Sequence, residues 1–315
     1  MTVANAAAVE DSRPTSTVLG RSWASRVQRA RPWPYLLPFA ASMVIWVYGP
    51  LAGTIGLSFL RWDLTSGPGQ FVGLANYRSL LADSDFGNAA WQTALYAVGL
   101  LATSIVLPLA LAIALWRRPG RAAYVYRCLL FVPMVLAPVA TAISWQFVLN
   151  PLQGVVHEGF DAVGLAAPNW LGDPHTALGS IVVITSGKLI ALNTLLLSAA
   201  LSTVDPDTVE AARLDGATEG RITRRIVVPQ IGRTVVLLGM LTIVYAGQWT
   251  FANISVLTQG GPQNNTDNVY YRLYTYGFTY FDIGQASAGS VLVVLALAVP
   301  LGIGAMLRRG TDDRT

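Results

Sequence analysis

Sulfur, lysine and histidine chemistry are almost missing from these 315 residues, and charge of any kind is sparse. A single cysteine, Cys128, excludes an internal disulfide. It sits at the edge of an apolar run, where a small hydrophobe serves equally well. The two histidines, His157 and His175, are neither paired with cysteine nor spaced i,i+4 on a helix, so no metal site is expected. Lys188 is the only lysine; the other twenty basic residues are arginines. Charged residues make up 12% of the chain against 53% hydrophobic, and the mean hydropathy is +0.48, which excludes an ordinary soluble domain. The net charge of +4 would suit nucleic acid, but the arginines flank apolar stretches instead of forming a basic stripe with aromatics, so no nucleic-acid partner is expected. Enzyme motifs are missing too. A phosphate-binding loop needs G-x-x-x-x-G-K-[ST], yet Gly187-Lys188 is followed by Leu189 and preceded by Val182 at the leading-glycine position. No G-x-S-x-G, no HExxH and no spaced set of catalytic acids occurs, so no catalytic residue, cofactor or metal is assigned to the chain.

What is there instead is a series of long apolar runs, at about 35–60, 91–116, 129–149, 178–201, 235–257 and 286–307. Each is near the roughly 20 residues a helix needs to cross the hydrocarbon, which predicts an all-α, polytopic membrane protein with six spans. Residues 1–33 read as a cytoplasmic tail, disordered or interfacial, residues 34–309 as the membrane domain, and 310–315 as a second short tail. The first run is too long for a signal-peptide core and lacks a small-residue cleavage pattern. Pro38, Pro50, Pro108, Pro133, Pro138 and Pro300 fall in or beside the runs, where they can kink a helix whose freed carbonyls are satisfied by neighbours. Alternate loops divide the arginines seventeen to three, with only Arg61, Arg78 and Arg272 on the poorer side. Positive charge is retained on the cytoplasmic face, so both termini are expected inside and segments 61–90, 150–177 and 258–285 outside.

The cytoplasmic loop between the fourth and fifth spans, about 204–232, carries ordered-structure signals. Asp205 caps a helix that opens on Pro206, Asp207 adds an acid to its first turn, and Gly216 supplies the left-handed residue that ends it. Thr218 and Glu219 start a second short helix that Pro229 stops or kinks. The small, mixed surface of the first helix fits two uses, docking to another protein or lying on lipid headgroups.

Glu210-Ala211-Ala212, Asp215-Gly216-Ala217, Ile226 and Pro229 resemble, at matching spacing, the EAA loop of ABC importer permeases. Gly73-Leu74-Ala75-Asn76-Tyr77, Asn150-Pro151 with Gly154, Thr258-Gln259-Gly260-Gly261-Pro262 with Thr266, and Phe281-Asp282-Ile283-Gly284 with Ala286 and Ala288 resemble the carbohydrate-type, maltose and glycerol-phosphate permease-like members. The resemblance covers about 35–307. It implies a type I importer half in the bacterial inner membrane, working by alternating access. Its implied partners are a second homologous permease, two copies of a cytoplasmic ATP-binding subunit that hold the ATP and Mg, an extracytoplasmic solute-binding protein, and membrane lipid. It also implies that Glu210 and Asp215 make polar contacts at the ATPase joint, that Ala211, Ala212 and Ala217 allow a close fit, and that Gly216 sets the bend. The sequence departs from the family pattern at Gly220 and Thr223, where an aromatic is common, and at Arg233, where a proline is common.

Polar groups inside spans are expected to face the bundle interior. Lys188, Asn193, Gln248 and Asn253, with Trp145, Gln146, Tyr245 and Trp249 beside them, are the candidates for the solute path, because sugars are held by aromatic stacking and amide hydrogen bonds. Lys188 has two further uses, attracting a phosphate or carboxylate or snorkelling toward the outer headgroups, and interhelical bonding is the plainer use of all these groups. Gly260, Gly261 and Pro262 are the candidates for docking the binding protein. The alternatives are an ABC permease for a non-carbohydrate solute and a secondary transporter; the latter would lean on acids inside the spans, and none of the six has a central Asp or Glu.

Overall fold

The computed structural model describes residues 33–63, 69–118 and 120–312. The expected N-terminal tail lies outside them, apart from Trp33. Contacts divide the chain between Gly53 and Thr54. In the first unit the helix α1 (Trp33–Met43) passes through a π-turn at Val44–Tyr48 into α2 (Gly49–Leu57).

The second unit takes the last residues of α2 and continues with a two-strand antiparallel hairpin, β1 (Leu60–Arg61) and β2 (Gln70–Phe71), and a short helix α3 (Ala75–Ala82). A 34-residue helix follows, formed by α4 (Ser84–Leu101), a π-turn at Ala102–Val106, and α5 (Leu107–Arg117). Next come α6 (Arg121–Val135), α7 (Pro138–Val148), a surface helix α8 (Val155–Ala162), and α9 (Ala177–Leu201). Two short helices, α10 (Pro206–Leu214) and α11 (Glu219–Ile222), lead through a π-turn at Thr223–Val227 and α12 (Val228–Gln230) to α13 (Gly232–Leu257). The chain closes with α14 (Val269–Tyr274), a π-turn at Thr275–Thr279, and α15 (Ile283–Asp312). α15 runs past Arg309, so the helix continues into the segment expected to be a tail.

Among the described residues, four helices are long and apolar enough to cross a membrane, and they coincide with the first, second, fourth and fifth expected spans. α15 covers the sixth. The third, expected over 129–149 with Pro133 and Pro138 inside it, is a bent pair of helices. It starts at Arg121 and breaks after Val135, and its halves α6 and α7 diverge by 97°. The cause is local, because Pro138 has no N–H and disfavours helical backbone in the residue before it. Leu136 and Ala137 are accordingly extended, with ψ of 139° and 135°.

The other prolines are absorbed differently. Three of the four π-turns stand just ahead of a proline, namely Pro50, Pro108 and Pro229. A proline removes the hydrogen bond to the carbonyl four residues back and crowds it. Widening that turn by one residue relieves the clash and lets the helix continue. Pro50 and Pro108 therefore sit within continuous helices.

α9 is the centre of the second unit, in contact with α4, α5, α6 and α13. Much of it is buried, and the large residues it leaves exposed, Val183, Leu195 and Leu196, are apolar too, which is why its apolar residues show no single face. Three apolar clusters line up along the bundle. One joins Leu197, Leu201 and Leu238 to the 204–231 segment, one surrounds Tyr96, Ile181 and Ile254, and one gathers Leu80, Phe86 and Tyr276.

Candidate functional site

The loop after α9 folds as its sequence signals indicate. The Asp205 carboxylate accepts from the Asp207 amide at 3.0 Å and from the Thr208 hydroxyl at 2.7 Å, capping α10. The hydroxyl and amide hold this carboxyl below its usual range. At the other end Gly216 has φ of +77°, its amide bonds to the Arg213 carbonyl, and the Ala217 amide reaches back to Ala212, both at 3.0 Å. That pair of bonds is a Schellman termination.

The hairpin of helices is packed on the bundle by Val209, Ile222, Val227 and Ile231, all buried, with Ala212, Ala217 and Ile226 beside them. Ala212 and Ala217 thus pack against this chain's own core. Glu210, Ala211, Leu214, Asp215 and Gly216 form the exposed face, with Leu214 86% exposed, and Pro229 is exposed on the return segment.

Glu219 anchors the assembly, a role the sequence reading did not assign to it. Its carboxylate accepts from Arg213 at 2.8 Å, and its carbonyl accepts from Arg117, at the end of α5, at 2.7 Å. The Arg213 guanidinium holds the Glu219 carboxyl below its usual range. Arg117 also donates to the Thr223 hydroxyl. Thr223, one of the departures from the family pattern, therefore supports the tie to the second span.

Within the bundle, a cavity of about 400 Å³ opens where α6 and α7 part. It brings together four of the eight solute-path candidates, Lys188, Gln248, Trp249 and Asn253, with Thr141 and Thr185 beside them. The Asn253 amide donates to Thr185 Oγ1 at 2.8 Å, Gln248 is exposed to the cavity side, and Trp249 packs on Tyr245 with ring centroids 5.7 Å apart. Tyr245 itself belongs to the apolar cluster around Tyr96. Trp145 lines a second cavity of about 430 Å³ with Trp170 and His175, next to the first along α9. Gln146 is exposed and lines neither.

Two candidates on α9 are bonded to backbone that the prolines leave without a helical partner. The Lys188 ammonium donates to the carbonyl of Leu136, at the break before Pro138. Asn193 Nδ2 donates to the carbonyl of Ser104, four residues before Pro108, at 2.5 Å. Both bonds follow from the rule that backbone in lipid must be satisfied internally. Lys188 stands about 16 Å from one end of α9 and about 20 Å from the other, too deep to reach either surface. A cation at that depth costs roughly 2.5–3.5 kcal/mol on insertion scales.

At the opposite end of the bundle, the segment 258–268 is folded inward. Gly260 is buried, Gly261 and Pro262 are half-buried, and their neighbours Gln259 and Gln263 are the exposed ones. Thr266 bonds both Thr258 and the Gly261 carbonyl, while Tyr96 donates to the Thr266 carbonyl at 2.9 Å. Arg272 is buried between Asp267, at 2.5 Å, and Asp85, at 3.3 Å. Burial pushes the Asp267 carboxyl up from its usual range, and Arg272 opposes that shift.

The family-like segments outside the membrane runs also meet in space. The Asn76 amide donates to the carbonyls of Ser58, at 2.9 Å, and Leu60, at 2.8 Å. A Cβ at Gly284 would lie 2.2 Å from that same Leu60 oxygen.

Residues 104–311 match the family described as "Binding-protein-dependent transport system inner membrane component". The chain is 32% identical over 272 residues to the sn-glycerol-3-phosphate transport system permease protein UgpA of Brucella abortus biovar 1 (strain 9-941), covering 86% of this chain and 91% of the relative. It is 30% identical over 285 residues to the protein of the same name from Rhizobium meliloti (strain 1021), covering 89% and 95%. In fold it is similar to a chain of a bacterial alginate ABC transporter solved in complex with an alginate pentasaccharide-bound periplasmic protein. That match has a TM-score of 0.81 at 21% identity and covers 92% of this chain and 98% of that one.

Proposed function

The chain belongs to the family of binding-protein-dependent transport system inner membrane components, and from that premise we propose that it is one membrane half of an ATP-driven importer for a sugar, oligosaccharide or glycerol-phosphate-type solute. The relatives' names support the solute class. Hydrolysis, with its ATP and Mg, belongs to a separate cytoplasmic subunit present in two copies, and a second permease completes the channel. The arginine-rich end, which holds the 204–232 segment, faces the cytoplasm and both termini lie there. The 258–268 segment at the other end meets the solute-binding protein, with Gly260, Gly261 and Pro262 holding its shape and Gln259 and Gln263 presented outward.

One observation carries the coupling assignment. α10 is fixed at both ends and seated on its inner side by Val209, Ala212 and Ala217, while Glu210, Ala211, Leu214, Asp215 and Gly216 are exposed. A rigid helix with a bare leucine at its tip transmits displacement; a helix lying on lipid headgroups would present a continuous apolar face instead. Closure of the two ATPase subunits then moves the helix as a unit and switches the bundle between inward-open and outward-open states.

Cysteine cross-linking tests this. With Cys128 replaced by Ser and Ala211→Cys introduced, the chain should cross-link to a cysteine placed in the cleft of the ATPase subunit, with a yield that changes on adding ATP. A purified complex that assembles yet gives no cross-link in any nucleotide state would refute the docking assignment.

A further inference from the structure

We infer that Lys188 selects for an anionic group, a carboxylate or phosphate, on a small hydroxylated solute held in the cavity between α6, α7, α9 and α13. The inference rests on the importer reading above and narrows its solute class.

Lys188 and Asn193 do the same backbone work one and a half turns apart, each bonding a carbonyl that a proline leaves without its helical partner. At Ser104 a neutral amide suffices. Capping therefore does not require a cation at Leu136, and a cation is the costlier choice halfway across the bilayer. The position accounts for the charge. Lys188 lines the cavity, whereas Asn193 is buried at 3% exposure away from it.

The cavity is also built for one charge of opposite sign. Among the described residues no Asp or Glu lines it, so the ammonium has no counter-ion there, and Leu136 takes one of its three donors. Around it stand the hydroxyls of Thr141 and Thr185, the amides of Gln248 and Asn253, and the indole of Trp249. Such groups suit the hydroxyls and the C–H face of a sugar or glycerol unit. A charge-assisted hydrogen bond in a low-dielectric cavity is stronger than a neutral one, so an anionic solute gains where an uncharged analogue does not.

The test uses the complete transporter in proteoliposomes with its binding protein, ATP inside, and four labelled probes. Glycerol 3-phosphate and glucuronate are anionic; glycerol and maltose are not. The binding protein is common to every arm, so ratios between variants report on the permease. Lys188→Gln keeps a donor for Leu136 without the charge, and Lys188→Arg keeps the charge. Gln248→Glu places an acid on the same cavity wall and leaves the Lys188 bond intact. The wild type should import at least one anionic probe. Lys188→Gln and Gln248→Glu should each raise its KM by about tenfold or more, with Lys188→Arg within about threefold of wild type. If Lys188→Gln does not assemble, Gln248→Glu on its exposed position decides the matter. Import of uncharged probes alone, or variants indistinguishable from wild type on an anionic probe, would overturn the inference and leave the importer reading standing. Import of none of the four would overturn the solute class itself.

Discussion

Gly216 shows how much one residue settles here. Its φ of +77° lies where a side chain is strained, yet nothing stands within 4 Å of where a Cβ would be. The requirement for glycine is therefore conformational. Gly216→Val is expected to unwind the end of α10 and shift the exposed face. Glu210→Lys reverses a charge on that face without touching the fold. Each should reduce solute uptake to background while the chain still inserts and is recovered from the membrane in normal yield, and unimpaired uptake by both would remove the coupling role. Residue identity was most legible in this segment, because Asp205, Pro206 and Gly216 act through their own backbone. Glu219 was not legible as an anchor, because its partner Arg117 lies 102 positions away.

The helices repeat one problem, which is what to do with a proline inside lipid. A π-turn keeps the helix continuous ahead of Pro108, whereas the helix parts before Pro138, and in each case a polar side chain of α9 bonds a carbonyl left without its helical partner. These pairings yield a rescue experiment. Asn193→Leu strands the Ser104 carbonyl in a buried site and should destabilise the purified protein by about 1–3 kcal/mol. Adding Pro108→Ala returns an N–H to the chain opposite that carbonyl and should recover part of the loss. Thermal unfolding in detergent measures both, and a double variant no more stable than Asn193→Leu alone would refute the pairing. The apolar runs anticipated the four long apolar helices to within a few residues at most ends. They did not disclose the 97° bend, since Leu136 and Ala137 are as hydrophobic as any helical residue and only the following proline hints at it. Nor did they separate Trp145 from Trp249, which composition groups together and the bend places in different cavities.

Across the second unit, segments far apart in sequence close on one another. Asn76, near its start, holds the Ser58 and Leu60 carbonyls, and Gly284, near its end, lets the last helix pass the same Leu60 oxygen. Gly284→Ala puts a methyl 2.2 Å from that oxygen, and overpacking of this kind costs about 1–3 kcal/mol. A lowered thermal midpoint is the expected outcome, and an unchanged one would mean that the hairpin yields freely. Recognisable short segments pointed to these residues without saying what they touch, since contact between positions 60 and 284 is a property of the assembled bundle.

The 34-residue helix from Ser84 to Arg117 joins the two ends of that bundle. At one end Arg117 grips Glu219 and Thr223; at the other Asp85 meets Arg272, and Asn88 bonds the Asn264 carbonyl at 3.1 Å. In mechanical terms it is a strut about 50 Å long, pinned at both ends. The widened turn at Ala102–Val106 is its one point of compliance, and Asn193 braces that point from the side. On the proposed docking, a push at the 204–232 end has a stiff line to the 258–268 segment, and how much of it arrives is set by the give in five residues near the middle.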